Sequence, residues 1–223
     1  MLSPDAGTEK FVTKSIPEEI ASVLQTEIIS GGYLPGQRLV ERELSTRFKV
    51  SSIPIREALQ VLERRGVVRR KPNRGCSVVQ LSLEEVNQIC ELREFLEPKV
   101  AEWAACRITA EGAERLLRHV ARIKEIAETG DLPQFFQEDI QFHRAVWELS
   151  QNPFAARALE HICGSLFACG YRESRGIDLD QEYKKHERLA DSIINGRPCA
   201  ASKLLEEIAK DLRRYLNSRL GGA

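Results

Sequence analysis

The chain has 223 residues, and its 33 basic and 33 acidic side chains cancel to a formal net charge of +0. This length can form one or two domains with substantial hydrophobic cores. The balanced charge and the 42% hydrophobic content argue against a disordered protein. No apolar run approaches the ~20 residues that a membrane-spanning helix needs. Residues 1–80 carry 13 basic and 9 acidic side chains, whereas all four histidines lie in the acidic remainder, which predicts two modules with different tasks.

The N-terminal module is predicted to begin with two helices. Residues 1–14 are expected to form a disordered lead-in, and the first helix begins after Ser15. Its apolar residues recur at helical spacing between Ile20 and Ile28. A turn at residues 33–37 leads into a second, short helix at about Val40–Phe48.

Residues 50–66 predict a third helix, for which Ser51 or Ser52 can supply the N-terminal cap. Apolar residues follow one side of this helix, whereas Arg56 and Gln60 lie one turn apart on the other side. Such a helix can be an ordinary amphipathic surface helix. However, two short helices joined by a few residues form a helix-turn-helix, in which an arginine-bearing second helix can enter a DNA major groove.

A β-hairpin with a basic tip is predicted at residues 67–79, and this tip contains Arg74 and Gly75. Beside a helix-turn-helix, such a hairpin is a wing that can contact the DNA backbone or the minor groove. The run YLPGQRLVEREL at residues 33–44, followed by VSxxPIREALxxLxxxG at residues 50–66, resembles the N-terminal winged helix-turn-helix of GntR-family transcription regulators.

The resemblance implies a DNA-binding domain at residues 15–80. One arginine is missing, because the position after the capping serine is often arginine in this subfamily and is Ser52 here. Ile53 stands where a small hydroxylated residue is common. Either the operator differs from the usual one, or the affinity depends more on the other contacts. The DNA contacts that the resemblance implies are Arg42, Ser51, Ser52, Arg56, Arg74 and Gly75, with Arg69, Arg70 and Lys71 adding phosphate contacts.

The remaining residues, 81–223, show helical patterns only, so the fold class is predicted to be mainly α. The first of these helices begins with the capping-box spacing of Ser82 and Glu85. An antiparallel bundle of about six helices is predicted behind the winged helix. The other five helices are expected to begin near Thr109, Asp131, Pro153, Asp180 and Pro198.

This second module resembles the FCD effector-binding domain of the FadR-like GntR subfamily. The resemblance is carried by ELRxxLE at residues 91–97, by DxxFH at residues 139–143 and by HxxLAxxIxxG at residues 186–196. It implies an effector-binding and dimerisation domain at residues 81–223.

Asp139 and His143 share one helix face, and His186 on another helix can join them as a third metal ligand. On spacing alone, a solvated surface pair is more common than a metal site. The FCD resemblance favours a metal, because the family commonly binds one with one aspartate and three histidines. The fourth ligand position corresponds to Ile208, which cannot coordinate. Glu207 and Asp211 lie nearby, but either would need a shifted helix register.

Three interpretations of this site stay open. Asp139, His143 and His186 form a weakened three-ligand site that binds Zn²⁺ or Ni²⁺ and is completed by water or effector. Alternatively, they form a metal-free pocket and hydrogen-bond the effector directly, or the site is degenerate. Arg93 can face the same cavity and bind the carboxylate of an effector, or it can simply pair with Glu97 one turn away.

The sequence therefore predicts a ligand-responsive DNA-binding regulator rather than an enzyme. We expect a cytoplasmic, nucleoid-associated homodimer that represses at a pseudo-palindromic operator until a small organic acid binds. One alternative is an architectural DNA-binding protein without an effector. The other is a metal-dependent hydrolase or lyase, for which the sequence offers no evident nucleophile, oxyanion hole or cofactor loop.

Overall fold

The computed structural model describes residues 15–71, 75–173 and 176–220. The expected lead-in at residues 1–14 and the wing residue Arg74 therefore lie outside the described residues. The N-terminal part is a winged helix. Its elements are α1 (Ile16–Ile29), β1 (Arg38–Leu39), α2 (Glu41–Phe48), α3 (Ser52–Arg64), β2 (Val68–Lys71) and β3 (Gly75–Val78).

The core of the winged helix lies between α1, α3 and the sheet. The predicted apolar side of α3 is buried, with Ile55 and Leu62 at 0% exposure. Leu24 and Ile28 of α1 pack into the same cluster. Ser51 takes the N-cap position of α3, but its side chain makes no capping hydrogen bond, contrary to the expectation from its residue type.

The sheet has the order β1-β3-β2, and both pairings are antiparallel. Cys76 lies at its centre, with Leu39 opposite on one side and Arg70 on the other. The β2–β3 hairpin confirms the predicted wing, whereas the two-residue strand β1 was not predicted. Its pairing partner lies far along the chain, so local sequence carries little signal for it.

Six further helices form the C-terminal bundle within the described residues, which confirms the predicted architecture. The capping box of Ser82 and Glu85 is present, and the side chains of Thr109 and Asp131 cap the next two helices. None of the described helices combines the length and the apolar character needed to cross a membrane. The bundle helices are α4 (Leu83–Cys106), α5 (Ala110–Thr129), α6 (Leu132–Leu149), α7 (Pro153–Glu173), α8 (Leu179–Ile194) and α9 (Pro198–Leu220).

Helix α4 is the central element of the bundle and packs against α6, α7, α8 and α9. Phe142, Leu116, Leu159 and Leu189 are fully buried in the shared core. Because α6, α7, α8 and α9 all pack against α4, polar residues on their inner faces can meet in one region.

Candidate functional site

A cavity of about 380 Å³ lies inside the bundle, within the size range of small-molecule sites. Its most buried polar side chains are Arg93, Asp139, His143 and His186, contributed by α4, α6 and α8. The predicted effector-binding residues are thus brought together. The other lining residues are Phe135, Phe136, Leu166, Phe167, Ile177, Glu182, Lys185, Ile208, Asp211, Leu212, Arg214, Tyr215 and Leu216.

Asp139, His143 and His186 form a compact cluster in which one ligand atom of each residue lies within 4.8 Å of the others. His186 Nε2 is 2.5 Å from Asp139 Oδ1, and His143 Nε2 is 3.5 Å from the same oxygen. The i,i+4 spacing of Asp139 and His143 on α6 and the packing of α8 against the bundle produce this arrangement.

The backbone fixes the orientation of the His186 ring. Its Nδ1 donates to the carbonyl oxygen of Glu182 at 2.7 Å, so a neutral ring would carry its lone pair at Nε2. That lone pair would face the carboxylate of Asp139. Two acceptors at this separation repel each other unless a cation, either a proton or a metal ion, lies between them.

Electrostatics within the cluster favour charged forms. Burial alone would raise the pKa of Asp139, but attraction to His143 and hydrogen bonds with both histidines outweigh burial and lower it. Burial alone would lower the pKa of His186, but its contact with Asp139 raises the pKa overall. The carboxylate of Asp139 is therefore negatively charged and stabilises positive charge on His186.

The donor set fits a divalent transition metal. Two imidazole nitrogens and one carboxylate oxygen are suitable ligands for Zn²⁺ or Ni²⁺. His143 Nδ1 is buried and has no hydrogen-bond partner among the described residues, so this ring is held by packing and by its Nε2 contact. No fourth protein ligand joins the cluster within the described part of the chain.

The fourth position is apolar. Ile208, to which the family resemblance assigned the fourth ligand position, lines the same cavity. Asp211 also lines the cavity, but its carboxylate pairs with Lys185 at 3.3 Å and with Arg214. Glu207 lies elsewhere, at a shallow hollow between α8 and α9.

Arg93 lies on the cavity wall and also makes the pair with Glu97 that the sequence offered. It is buried, and the Glu97 carboxylate accepts from Arg93 Nε at 3.1 Å and Nη2 at 3.2 Å. The guanidinium has five N–H groups, so this pairing leaves capacity for a second acceptor. Burial alone would lower the pKa of Arg93, but the charge of Glu97 outweighs it, and the side chain remains a cation.

The predicted DNA-binding face is exposed on the winged helix. Ser51, Ser52 and Arg56 are exposed at the front of α3, and Arg42 is exposed on α2. Ile53, also at the front of α3, is 64% exposed. The front of α3 is therefore available to a large partner such as DNA.

Several basic side chains of this face already have partners. Arg56 Nε donates to Glu41 Oε2 at 2.7 Å, a pair between α3 and α2 that the sequence did not indicate. Arg70 donates to the backbone oxygen of Arg56 at 3.4 Å, and Arg69 pairs with Glu85 of α4 at 3.2 Å. Arg69 and Arg70 therefore also hold the wing in place. Lys71 and Gly75 are exposed.

Helix α7 connects the cavity with the winged helix. Its Leu166 and Phe167 line the cavity. On the opposite side of α7, Ser165 Oγ donates to the carbonyl oxygen of Gly66 at 2.8 Å, just beyond the end of α3. Gly164 lies so close to the Arg65 carbonyl that a side chain there would overlap it.

Two family models match the chain. The model described as "Bacterial regulatory proteins, gntR family" matches residues 17–78, and the model described as "FCD domain" matches residues 88–211. The chain belongs to the GntR family. Its winged helix is the DNA-binding domain of a GntR regulator, and its bundle is an FCD effector-binding domain, as the sequence predicted.

Named relatives of this GntR regulator are transcription regulators rather than enzymes. The HTH-type transcriptional repressor RspR of Escherichia coli is 29% identical over 155 residues, 70% of this chain and 68% of the relative. The galactonate operon transcriptional repressor of Escherichia coli is 28% identical over 226 residues, 91% of this chain and 98% of the relative. The solved structure of E. coli McbR/YncC has a TM-score of 0.80 over 92% of this chain and 99% of that chain, at 19% identity, and so shares the fold.

Sequence reasoning missed two features of the FCD domain and its surroundings. One is the charged mouth of the cavity, where Lys185 pairs with Glu182 at 2.7 Å and with Asp211. The other is the close approach of Gly164 to the winged helix. The Glu182–Lys185 pair has local i,i+3 spacing, but the contacts of Lys185 with Asp211 and of Gly164 with Arg65 depend on which elements become neighbours.

Proposed function

We propose that this GntR regulator is a repressor that binds a pseudo-palindromic operator as a homodimer and releases it when a small carboxylate occupies the FCD cavity. Two recognition helices related by a two-fold axis would read the two half-sites. The nucleoid is then its place of action. Named repressors among the relatives support the direction of control.

Helix α7 is the observation that carries the proposal. Leu166 and Phe167 contact the cavity, while the neighbouring Gly164 and Ser165 contact the end of the recognition helix. A ligand that pushes on one side of α7 moves the contact on its other side, because a packed helix shifts as a rigid body. Operator affinity and effector affinity are then coupled, and the coupling is reciprocal.

The DNA contacts are assigned to one continuous face. Arg42, Ser51, Ser52 and Arg56 would reach the major groove and nearby phosphates from α2 and α3. The wing, with Arg74 and the backbone N–H of Gly75 at its tip, would follow the adjacent backbone. Because an arginine is absent at Ser52, Arg56 is the main base-reading residue of this regulator.

The cavity is assigned to a carboxylate effector and a divalent metal. Asp139, His143 and His186 would hold the metal, which when bound supplies a Lewis-acidic site for a carboxylate oxygen. Arg93 would bind the same carboxylate through its guanidinium. With Ile208 in place of a fourth ligand, the metal is held more weakly than in a four-ligand site.

Three measurements test the proposal. Selection from random duplexes should recover a two-fold symmetric sequence, and fluorescence anisotropy should show weaker binding to it when effector and Zn²⁺ are present. Analytical ultracentrifugation should report two protomers per operator. Operator affinity that no carboxylate changes, in the presence or absence of metal, would instead indicate an architectural DNA-binding protein.

A further inference from the structure

Most of the FCD cavity wall is apolar. Eight aliphatic or phenyl side chains line it, and they come from α6, α7, α9 and the turn before α8. Leu166 and Leu216 are almost fully buried, at 6% and 5% exposure. The eight residues are Phe135, Phe136, Leu166, Phe167, Ile177, Ile208, Leu212 and Leu216.

Four polar side chains of the cavity wall are buried. Arg93, His143 and His186 are at most 4% exposed as side chains, and Asp139 is 13% exposed. These buried groups are the ones that can hold the carboxylate of an acid.

The polar groups at the mouth are more exposed and engage one another. Arg214 is 79% and Asp211 36% exposed, and the two form an ion pair. Lys185 is 27% exposed and pairs with Glu182 and Asp211. Elsewhere on the wall, a ligand contacts the aliphatic and phenyl side chains.

This distribution discriminates between classes of acid. Each hydroxyl of a sugar acid would lose its hydrogen bonds to water on entering an apolar wall and find no partner there. Each methylene of a hydrocarbon chain is instead stabilised by leaving water. Ile208 sharpens the difference, because it puts an aliphatic side chain where a polar ligand stands in the family pattern.

We propose that the effector is a monocarboxylic acid with an apolar body, such as an aliphatic chain or an aromatic ring, and not a polyhydroxylated acid. The carboxylate lies at Arg93, and the apolar body lies against Ile208, Leu212 and Phe167. This inference rests on the proposed function, because it takes the cavity to be the effector site.

Hexanoate and gluconate provide a matched test, since both are six-carbon monocarboxylates with one negative charge. Isothermal titration of the full-length protein, with and without Zn²⁺, should show hexanoate binding at least about tenfold more tightly than gluconate. Gluconate binding as tightly as or more tightly than hexanoate would overturn the inference but would leave the proposed effector role intact. Absence of hexanoate binding would also overturn the inference, whereas the proposed function fails only if no carboxylate changes operator affinity.

Two variants of α9 locate the apolar body. Leu212→Asn puts an amide on the cavity wall and should weaken hexanoate binding about tenfold or more. Leu204→Asn is the control, because Leu204 is a partly buried leucine on the same helix that lines the hollow outside the cavity. Circular dichroism of both variants confirms that they fold. Equal losses of hexanoate affinity in two folded variants would contradict the assignment.

Discussion

Gly164 of α7 lies directly against the backbone carbonyl of Arg65, at the junction between the FCD domain and the winged helix. A methyl group at this position would overlap the carbonyl oxygen, so the two domains approach as closely as the backbone allows. The neighbouring hydrogen bond from Ser165 to Gly66 fixes the same contact. The approach of the domains is therefore sensitive to any movement of α7.

Gly164→Ala is expected to lower the free energy of unfolding by about 1–3 kcal/mol, a typical effect of overpacking. Alanine favours a helix more than glycine does, but the carbonyl oxygen of Arg65 belongs to the backbone and cannot move away as a flexible side chain can. The matched control is Gly112→Ala, because a side chain at this helical glycine meets the mobile end of Leu149. Urea unfolding of both variants measures the difference, and equal stabilities would contradict the tight contact.

Replacing Arg56 should weaken operator binding. Arg56→Ala is expected to reduce the binding free energy by about 1–3 kcal/mol, since a guanidinium that reads a base is lost. Arg118→Ala is the control, because Arg118 is similarly exposed, at 65% against 60%, but lies on α5 of the FCD domain. Gel-shift titration on the selected operator compares them. Unchanged affinity of the Arg56 variant would reject its role in DNA binding.

The Glu41–Arg56 pair is expected to contribute little to folding and to compete with DNA. Both side chains are well exposed, and such pairs contribute about 0–1 kcal/mol. Glu41→Gln should therefore change the unfolding free energy by less than about 1 kcal/mol and increase operator affinity, since a carboxylate near the phosphates is removed. Anisotropy titrations at several salt concentrations measure this. A lower affinity would indicate that Glu41 orients Arg56 for binding.

Ile208→His should strengthen metal binding, because it adds an imidazole nitrogen to the cavity wall that Asp139, His143 and His186 also line. Removing the hydrogen-bond partner of a metal ligand typically lowers metal affinity about 10–100-fold. Adding a ligand should therefore raise the affinity at least as much. Competition with a chromophoric chelator measures the Zn²⁺ affinity.

Leu204→His is the control for the metal experiment, since it adds the same imidazole to α9 outside the cavity. Metal that is stoichiometric and resistant to dialysis in the unmodified protein would contradict the expectation of a weakened site.

Glu97→Gln should destabilise the FCD domain strongly. Arg93 and Glu97 are 4% and 0% exposed as side chains, and breaking a buried pair typically costs about 3–5 kcal/mol. The same change in the exposed i,i+4 pair of Glu114 and Arg118, Glu114→Gln, should cost no more than about 0.5 kcal/mol. Thermal unfolding compares the two variants. A bound carboxylate should restore part of the lost stability, because it offers Arg93 a new acceptor.

Local sequence determined much of this protein. The buried side of α3, the capping box at Ser82 and the i,i+4 placement of Asp139 and His143 follow from helical periodicity, which needs only neighbouring residues. The family motifs then placed His186 and Ile208 near the same site. Both the fold class and the candidate cavity residues could therefore be predicted.

Only the tertiary structure decided how these parts meet. Strand β1 forms because Leu39 pairs with Cys76 of β3. Glu41 pairs with Arg56 because α2 packs against α3. The apolar wall of the cavity and the contact of Gly164 with Arg65 depend on helices distant in sequence. Such contacts are set by packing and by the exclusion of overlap between elements, and no local periodicity records them.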